Sequence, residues 1–457
     1  MEHSVFPKEF CARMQRLLGG DYPAFLEAMN KERSYGLRVS PLKADPARFA
    51  ADAPFSLRPI PWAAEGFYYD PDDRPGKHPY YDAGVYYIQE PSAMAVGALA
   101  DAKPGERVLD LCAAPGGKTT HLAGRMHGEG ILIANEIVPS RAKILSQSVE
   151  RAGITNCIVT NESPDKLALR FPEYFDCIVV DAPCSGEGMF RKEDIAVTEW
   201  TPESPALCAA RQDEILSEAA KMLRPGGRLI YSTCTFAPEE NEGAITRFLA
   251  AHPDFSVVPA PGDPAFLPGQ PGWYENAHPD VKYTFRLFPH RLDGEGHFAA
   301  VLHRGGQGDR TEPKEAALLP DKKIPREYLD FAKDTLRDTA FDRLILNGST
   351  LWHLPECAPD LSGLRVLRSG LQLGEVKKGR FEPSHALALA LRAEHAQHVL
   401  SLTADSTETA AYLRGETVPC DEKGWTLVTV DGWALGWGKA SGGVLKNHYP
   451  KGLRRAK

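Results

Sequence analysis

Two rhythms of apolar and polar residues alternate between about residues 107 and 305, and together they predict a parallel sheet covered by helices. Short apolar runs suited to buried strands read RVLDLCA, GILIANEI, NCIVTN, FDCIVVDAP and RLIYSTCT. Between them the apolar spacing is helical, starting near Lys118, near Ser140 in RAKILSQSVERAG, and near Pro205 in ALCAARQDEILSEAAKML. The last helix is closed by RPGG, a stop signal. Alternating units of this kind form an α/β Rossmann-like sheet with helices on its faces. Two further strands, TFRLFPHR and GHFAAVLHR, flank LDGEG and predict an antiparallel hairpin at one edge.

The flanks have a different texture. Residues 6–42 read as helical, with Phe10, Met14, Leu17 and Leu18 on one face and Phe25 beginning another. The aromatic, Gly- and Pro-rich stretch 61–94 predicts turns and short strands, with Ser92 as N-cap of the helix AMAVGALADA. GGQGDRTEPKEAALLPDKK is the expected linker, and beyond it short strands and Gly turns surround a helix. The expected division is 1–90, 91–305, a linker 306–322, 323–390 and 391–457, with no internal repeat.

Composition narrows the class. With 457 residues, 43% hydrophobic and 25% charged, the chain is globular and long enough for two or three domains. No stretch has the roughly 18 consecutive apolar residues of a membrane span, and the N-terminus lacks a signal-peptide pattern. A cytoplasmic location is expected, in keeping with nine scattered cysteines. None forms a CxxC pair and the histidines show no matching spacing, so no metal is expected. The net charge of −8 argues against a uniformly basic surface. The tail departs from that average: Lys439, Lys446, Lys451, Arg454, Arg455 and Lys457 follow Gly432 with no acid among them.

Chemistry concentrates at the predicted carboxyl ends of the strands, where open parallel sheets bind ligands. The turn Cys112, Ala113, Ala114, Pro115, Gly116, Gly117, Lys118 lies between the first strand and its helix, and the second strand ends in Asn135-Glu136. An acid about 20 residues beyond such a turn is placed to accept ribose hydroxyls. The turn lacks the full GxGxxG of a pyrophosphate cradle, which favours S-adenosylmethionine over NAD, and Asp110 and Asp181 are placed to meet a sulfonium. Asp181, Cys184 and Cys234 all follow the fourth and fifth strands. Methylation of cytosine at carbon 5 needs such a set: a thiolate adds to carbon 6, N3 is protonated, and carbon 5 becomes nucleophilic. Cys234 is the expected nucleophile, Asp181 a general acid if the closed site raises its pKa, and Cys184 a participant in release. Lys118 and Arg191 are expected to favour thiolates.

In these motifs the chain resembles the Nop/Sun family of RNA (cytosine-5-)-methyltransferases, and most closely its bacterial RsmF-type ribosomal RNA members. The resemblance rests on LDLCAAPGGKT, NE at the second strand, DAPCSGEGMFRK and STCT followed by PEENE. It extends through YGLRVSPLK, RPGKHPYYDAGVYYIQEPSAM, RLFPHRLDGEGHF and NHYPKGLR over almost the whole chain. It implies that residues 112–118, Glu136, Arg141 and Asp181 bind adenosylmethionine, that Cys234 attacks and that Cys184 aids product release. Where relatives carry an aspartate toward adenine, this chain has Ser163. The resemblance further implies an N-terminal substrate-binding domain in 1–90, catalysis in 91–305 and a PUA-like RNA-binding module in 391–457.

The expected substrate is small-subunit ribosomal RNA and the expected state a monomer. RNA contacts are expected from the aromatic approach 67–87 with Arg74, Lys77 and His78, and more strongly from Trp433, Trp437, Lys439, Lys446 and Lys451. A tRNA methyltransferase, a non-catalytic assembly factor that binds RNA, and an NAD-linked oxidoreductase are the alternatives.

Overall fold

A computed structural model describes residues 6–259, 261–308, 311–339 and 341–456. Met1 to Val5, Asp309 and Arg310 of the expected linker, and Lys457 of the basic tail lie outside the described residues.

Helices α1 (Lys8–Leu18) and α2 (Tyr22–Met29) bury Phe10, Met14, Phe25 and Met29. The helical reading of 6–42 ends there. Gly36-Leu37-Arg38-Val39 is strand β1 (Gly36–Val39), which pairs along both edges, so cross-strand bonding prevails over the local helical pattern. The chain continues through α3 (Pro46–Asp52), β2 (Leu57–Ile60), β3 (Ala63–Tyr69), α4 (Pro79–Asp82) and β4 (Tyr86–Ile88). The four strands form one sheet in the order β2-β3-β1-β4. Helix α5 (Pro91–Ala100) follows, and its N-cap is Glu90 rather than Ser92. The Glu90 carboxylate accepts the N–H groups of Ser92 and Ala93, with Pro91 preset at the first helical position.

The central layer contains β5 (Arg107–Asp110), α6 (Gly117–Met126), β6 (Ile131–Asn135), α7 (Pro139–Arg151), β7 (Cys157–Thr160), α8 (Pro164–Arg170) and β8 (Phe175–Asp181). Next come α9 (Asp194–Glu199), α10 (Ser204–Met222), β9 (Leu223–Thr233), α11 (Glu242–Ala251), β10 (Phe255–Val257), β11 (Leu267–Pro268), β12 (Phe285–Leu287) and β13 (His297–Arg304). Strands β7, β6, β5, β8 and β9 are parallel neighbours, and their apolar residues are buried on both faces. The expected hairpin is β12–β13, and β13 returns antiparallel on β9. One expectation shifts: RPGG does not separate helix from strand. It lies inside β9, which pairs with β8 from Leu223 and absorbs the extra residues in a register shift between Phe175 and Cys177.

After β13 the chain runs along the amino ends of the strands, where Thr311 N–H donates to Glu173 O and Arg107 pairs with Glu312. It then forms α12 (Arg326–Thr335), β14 (Leu344–Asn347), β15 (Thr350–His353), β16 (Val366–Ser369), β17 (Leu371–Lys377), β18 (Arg380–Pro383) and α13 (His385–Ala390). Strands β14, β15, β17 and β18 make a small sheet, but β16 leaves it and pairs antiparallel with β7, extending the central sheet. The last unit holds β19 (Val399–Leu402), α14 (Thr407–Arg414), β20 (Val418–Pro419), β21 (Gly424–Val430), β22 (Trp433–Ser441) and β23 (Val444–Asn447), sheet order β19-β21-β22-β23-β20.

Candidate active site

The loops after β5, β6, β8 and β9 meet at the carboxyl edge of the central sheet. Beyond β5 the chain turns sharply at Gly116, whose φ of +114° is a left-handed value. A Cβ there would lie 2.7 Å from the Ser148 Cβ, so the position suits only glycine. The turn is held from several sides. Ala113 N–H donates to Asn135 O, the Ser148 hydroxyl to Pro115 O, and Arg141 Nη2 to Ala114 O at 2.9 Å. The buried Arg38 guanidinium of β1 donates to Gly117 O, Thr120 Oγ1 and Gln89 Oε1, tying the N-terminal sheet to the start of α6. Burial lowers the Arg38 pKa to about 10.

Glu136 follows β6, is 3% exposed, accepts the Val138 N–H and lies 3.4 Å from Arg141. Arg141 therefore bridges the glycine turn and Glu136. Asn135 donates to Leu111 O and Glu162 O, joining the loops after β5, β6 and β7. Glu162 is engaged by the backbone N–H of Arg365 and by Lys166, while Ser163 is half-buried beside it at the start of α8.

Asp110 is fully buried, with Thr119 donating to Oδ2 and, among the described residues, no partner on Oδ1. Burial pushes its pKa up to about 7. Burial also pushes the Cys112 thiol up, and the carboxylates of Asp110, Asp181 and Glu136 add to that push. A glycine turn, an acid after the second strand and an unpartnered buried carboxylate oxygen fit S-adenosylmethionine, which carries a nucleoside and a cationic sulfonium.

The chemical centre lies beside this turn. Cys184 and Cys234 sulfurs are 3.3 Å apart, on the loops after β8 and β9. Asp181 Oδ2 is 2.7 Å from Lys118 Nζ, and Asp181 Oδ1 accepts the Ser232 hydroxyl at 2.7 Å. Burial pushes the Asp181 pKa upward, but Lys118, His297 and Ser232 outweigh it and hold the carboxyl below its ordinary value. This corrects the sequence expectation: Asp181 is an ionised acceptor, not a poised acid, because Lys118 reaches it across the pocket. The pull of Asp181 and the proximity of Cys234 hold Lys118 firmly charged against the cost of burying it. Arg191 does not serve the thiols. It is bound to Glu295, Ala28 O and Gly294 O, joining the DAPC loop to the N-terminal helices.

Cys184 rests on a network that the sequence did not reveal. Glu240 accepts the Ser185 N–H at 3.0 Å and the Ser185 hydroxyl, while Gln212 donates to both Glu240 and Pro183 O. Burial pushes the Glu240 pKa up to about 7. The hydrogen bond with Cys234, then burial, hold Cys184 well above the ordinary thiol value, so it is a thiol. His297 at the start of β13 meets Ser92 Oγ at 2.9 Å and Glu90 at 3.7 Å, and burial lowers its pKa below the ordinary imidazole value. A usable signal existed for Arg38, a charged residue in an otherwise apolar strand. Glu240 had only its place in PEENE.

Four family descriptions match in succession: the N-terminal domain of 16S rRNA methyltransferase RsmF over 6–91, 16S rRNA methyltransferase RsmB/F over 98–303, the RsmF rRNA methyltransferase first C-terminal domain over 330–391, and the methyltransferase RsmF PUA domain over 399–455. The chain is 34% identical to Ribosomal RNA small subunit methyltransferase F of Shigella boydii over 99% of its own length and 98% of that protein. It belongs to the RsmF-type RsmB/F family. The same identity and coverage hold for the Escherichia coli enzyme of that name. Among solved structures, a methyltransferase homolog from Pyrococcus horikoshii is 31% identical with TM-score 0.58, covering 65% of this chain and 95% of that one. NSun6 from the same organism, at 20% identity and TM-score 0.57, covers 66% of this chain and shares the fold.

Within this RsmF-type chain the expected RNA contacts are redistributed. Phe67, Tyr68 and Tyr86 are buried, and Tyr80 packs edge-on against Trp433 at 4.5 Å, so the aromatic approach largely joins the N-terminal sheet to the PUA domain. His78 packs against Tyr80 and Phe55, while Arg74 and Lys77 are exposed. Trp437 is 2% exposed and donates to Ser384 O, which removes it as a stacking platform. Lys439, Lys446 and Lys451 are exposed. Among the described residues no helix is long and apolar enough to cross a membrane, and no cluster of metal-ligating side chains occurs.

Proposed function

We propose that this protein methylates carbon 5 of a cytosine in 16S rRNA, using S-adenosylmethionine, with Cys234 as the attacking thiol. The observation that carries the assignment is the pairing of two thiols 3.3 Å apart beside an ionised aspartate, all at strand ends next to the glycine turn.

The cofactor, held by the 112–118 turn, Glu136 and Asp110, supplies an electrophilic methyl group. The protein's own groups do the rest. Cys234 adds to carbon 6 of an extruded cytosine, a step that requires the base to leave its stack. Asp181, ionised and oriented by Lys118 and Ser232, accepts a hydrogen bond from N3 and so favours the protonated ring. Carbon 5 then takes the methyl group; water takes up the carbon 5 proton, and the carbon–sulfur bond at carbon 6 breaks as the N3 proton, drawn from solvent in the first step, returns to it. Cys184, a thiol in contact with Cys234, donates to the departing sulfur and aids that break.

Likeness to small-subunit rRNA enzymes over the full chain favours 16S rRNA over tRNA, and the intact thiol pair favours catalysis over a purely structural assembly role. Nine cysteines, none in a disulfide among the described residues, fit a reducing, cytoplasmic setting.

Bisulfite sequencing of 16S rRNA incubated with enzyme and methyl donor tests the reading. The wild type should convert one or a few cytosines to a protected form and Cys234→Ala none. Unchanged turnover by Cys234→Ala would remove the mechanism.

A further inference from the structure

The two C-terminal units enclose a groove of about 800 Å³ that belongs to neither the cofactor pocket nor the thiol pair. One wall is α12 with Arg326, Asp330 and Phe331; the other is the open end of the β21–β22–β23 sheet. On that sheet Trp425, Lys439 and Lys446 stand directly opposite one another on three consecutive strands, Trp425 facing Lys439 and Lys439 facing Lys446.

This row has an electrostatic peculiarity. Like charges placed directly opposite on neighbouring strands repel. Here, among the described residues, neither lysine has a carboxylate within ion-pair distance. The groove's acids Asp330 and Glu382 are already bound to Arg326 and Arg380. The Lys439 ammonium lies 5.7 Å from the Trp425 ring centroid, and His448 meets the same ring edge-on at 4.6 Å. Trp425 is only half-buried, unlike Trp437 two positions along from Lys439 on the same sheet face, which is sealed beneath Phe331. The face thus passes from core to solvent at an indole with Lys439 beside it and Lys446 one strand beyond.

A half-buried indole next to a paired positive charge suits a base and its phosphate. Resting on the rRNA reading above, we infer that this groove holds an unpaired nucleotide of the RNA substrate, base against Trp425 and phosphate between Lys439 and Lys446. Glu327 and Asp334 on the α12 wall, which form no ion pair among the described residues, repel the backbone and confine it to the lysine side.

The test uses the full-length protein and an in vitro 16S rRNA transcript, with affinity measured by filter binding across a potassium chloride series. Lys439→Ala/Lys446→Ala should weaken binding and flatten the slope of log K against log salt, by about 0.7 for one phosphate contact or about 1.4 for two. Trp425→Ala should lose roughly tenfold in affinity and Trp425→Tyr should recover much of it, a rescue that a packing defect would not produce. An unchanged salt slope in the double lysine variant overturns the inference. So does an equal flattening by the remote Lys322→Ala/Lys323→Ala pair, which would indicate diffuse attraction. If transcript binding is unchanged while binding to the small ribosomal subunit is lost, the partner is a protein and the inference fails. Methyl incorporation by the wild type, followed in parallel, reports separately on the rRNA reading itself.

Discussion

Cys184 and Cys234 touch, yet they are not equivalent, and the difference lies in what surrounds each sulfur. Cys184 is held as a thiol by its neighbour and by burial, above the Ser185–Glu240–Gln212 network. Cys234 directly follows β9 and shares its pocket with the Lys118 cation. That both cysteines reach the ligand edge was legible from their positions after consecutive strands. The charge state of Asp181 was not, since it depends on a lysine more than 60 residues away in sequence that only the fold brings within 2.7 Å. Lys118→Met should therefore leave Asp181 without its cation, raise its pKa, and shift the acid limb of the kcat profile upward, measurable as kcat against pH. Glu240 makes a second prediction. Its carboxyl is pushed from 4.5 to about 7 on folding, so its favourable contribution is complete below 4.5 and is lost as pH rises toward 7. That loss is on the order of 3 kcal/mol. Glu240→Gln keeps acceptor and donor atoms for Ser185 and Gln212, and its thermal stability should be flatter than the wild type's between those pH values.

At the scale of elements, the apolar rhythm located the parallel strands but not what joins them to the N-terminal sheet. Strand β1 escaped because only four residues carry it and their local pattern also suits a helix; pairing with β3 and β4 decides the matter. The misplaced N-cap of α5 has a similar cause, since Glu90 outcompetes Ser92 by accepting two backbone N–H groups at once. Strand β1 contributes Arg38 to the glycine turn proposed to hold adenosylmethionine, so Arg38→Met should weaken adenosylmethionine binding in calorimetry while Cys234 remains reactive toward a small alkylating agent. Between α11 and β12, Glu242 and Arg286 form a fully buried pair, with Arg286 lying over Trp273 at 4.6 Å. Removing one partner leaves the other charged and buried, so Arg286→Met should cost about 3–5 kcal/mol in urea denaturation.

Across the whole molecule, the C-terminal units are fastened to the catalytic sheet rather than tethered beside it. Strand β16 covers the β7 edge, and Arg365 and Arg368 bind Glu162 and Glu150 from across that junction. Nothing in the linker-like composition of 306–322 announces this, because an edge pairing made by one four-residue strand leaves no local signature. A chain ending at residue 305 would expose the β7 edge, and its elution in size-exclusion chromatography should shift toward aggregates relative to the full-length protein. The account as a whole turns on which sulfur forms the bond to RNA. The direct measurement is intact mass and peptide mapping of denatured protein–RNA adducts from three variants incubated with 16S rRNA and methyl donor. Cys184→Ala should accumulate an adduct mapped to Cys234, and both Cys234→Ala and Cys184→Ala/Cys234→Ala should show none. An adduct that persists in the double variant, or one mapped to Cys184 in Cys234→Ala, would contradict the assignment.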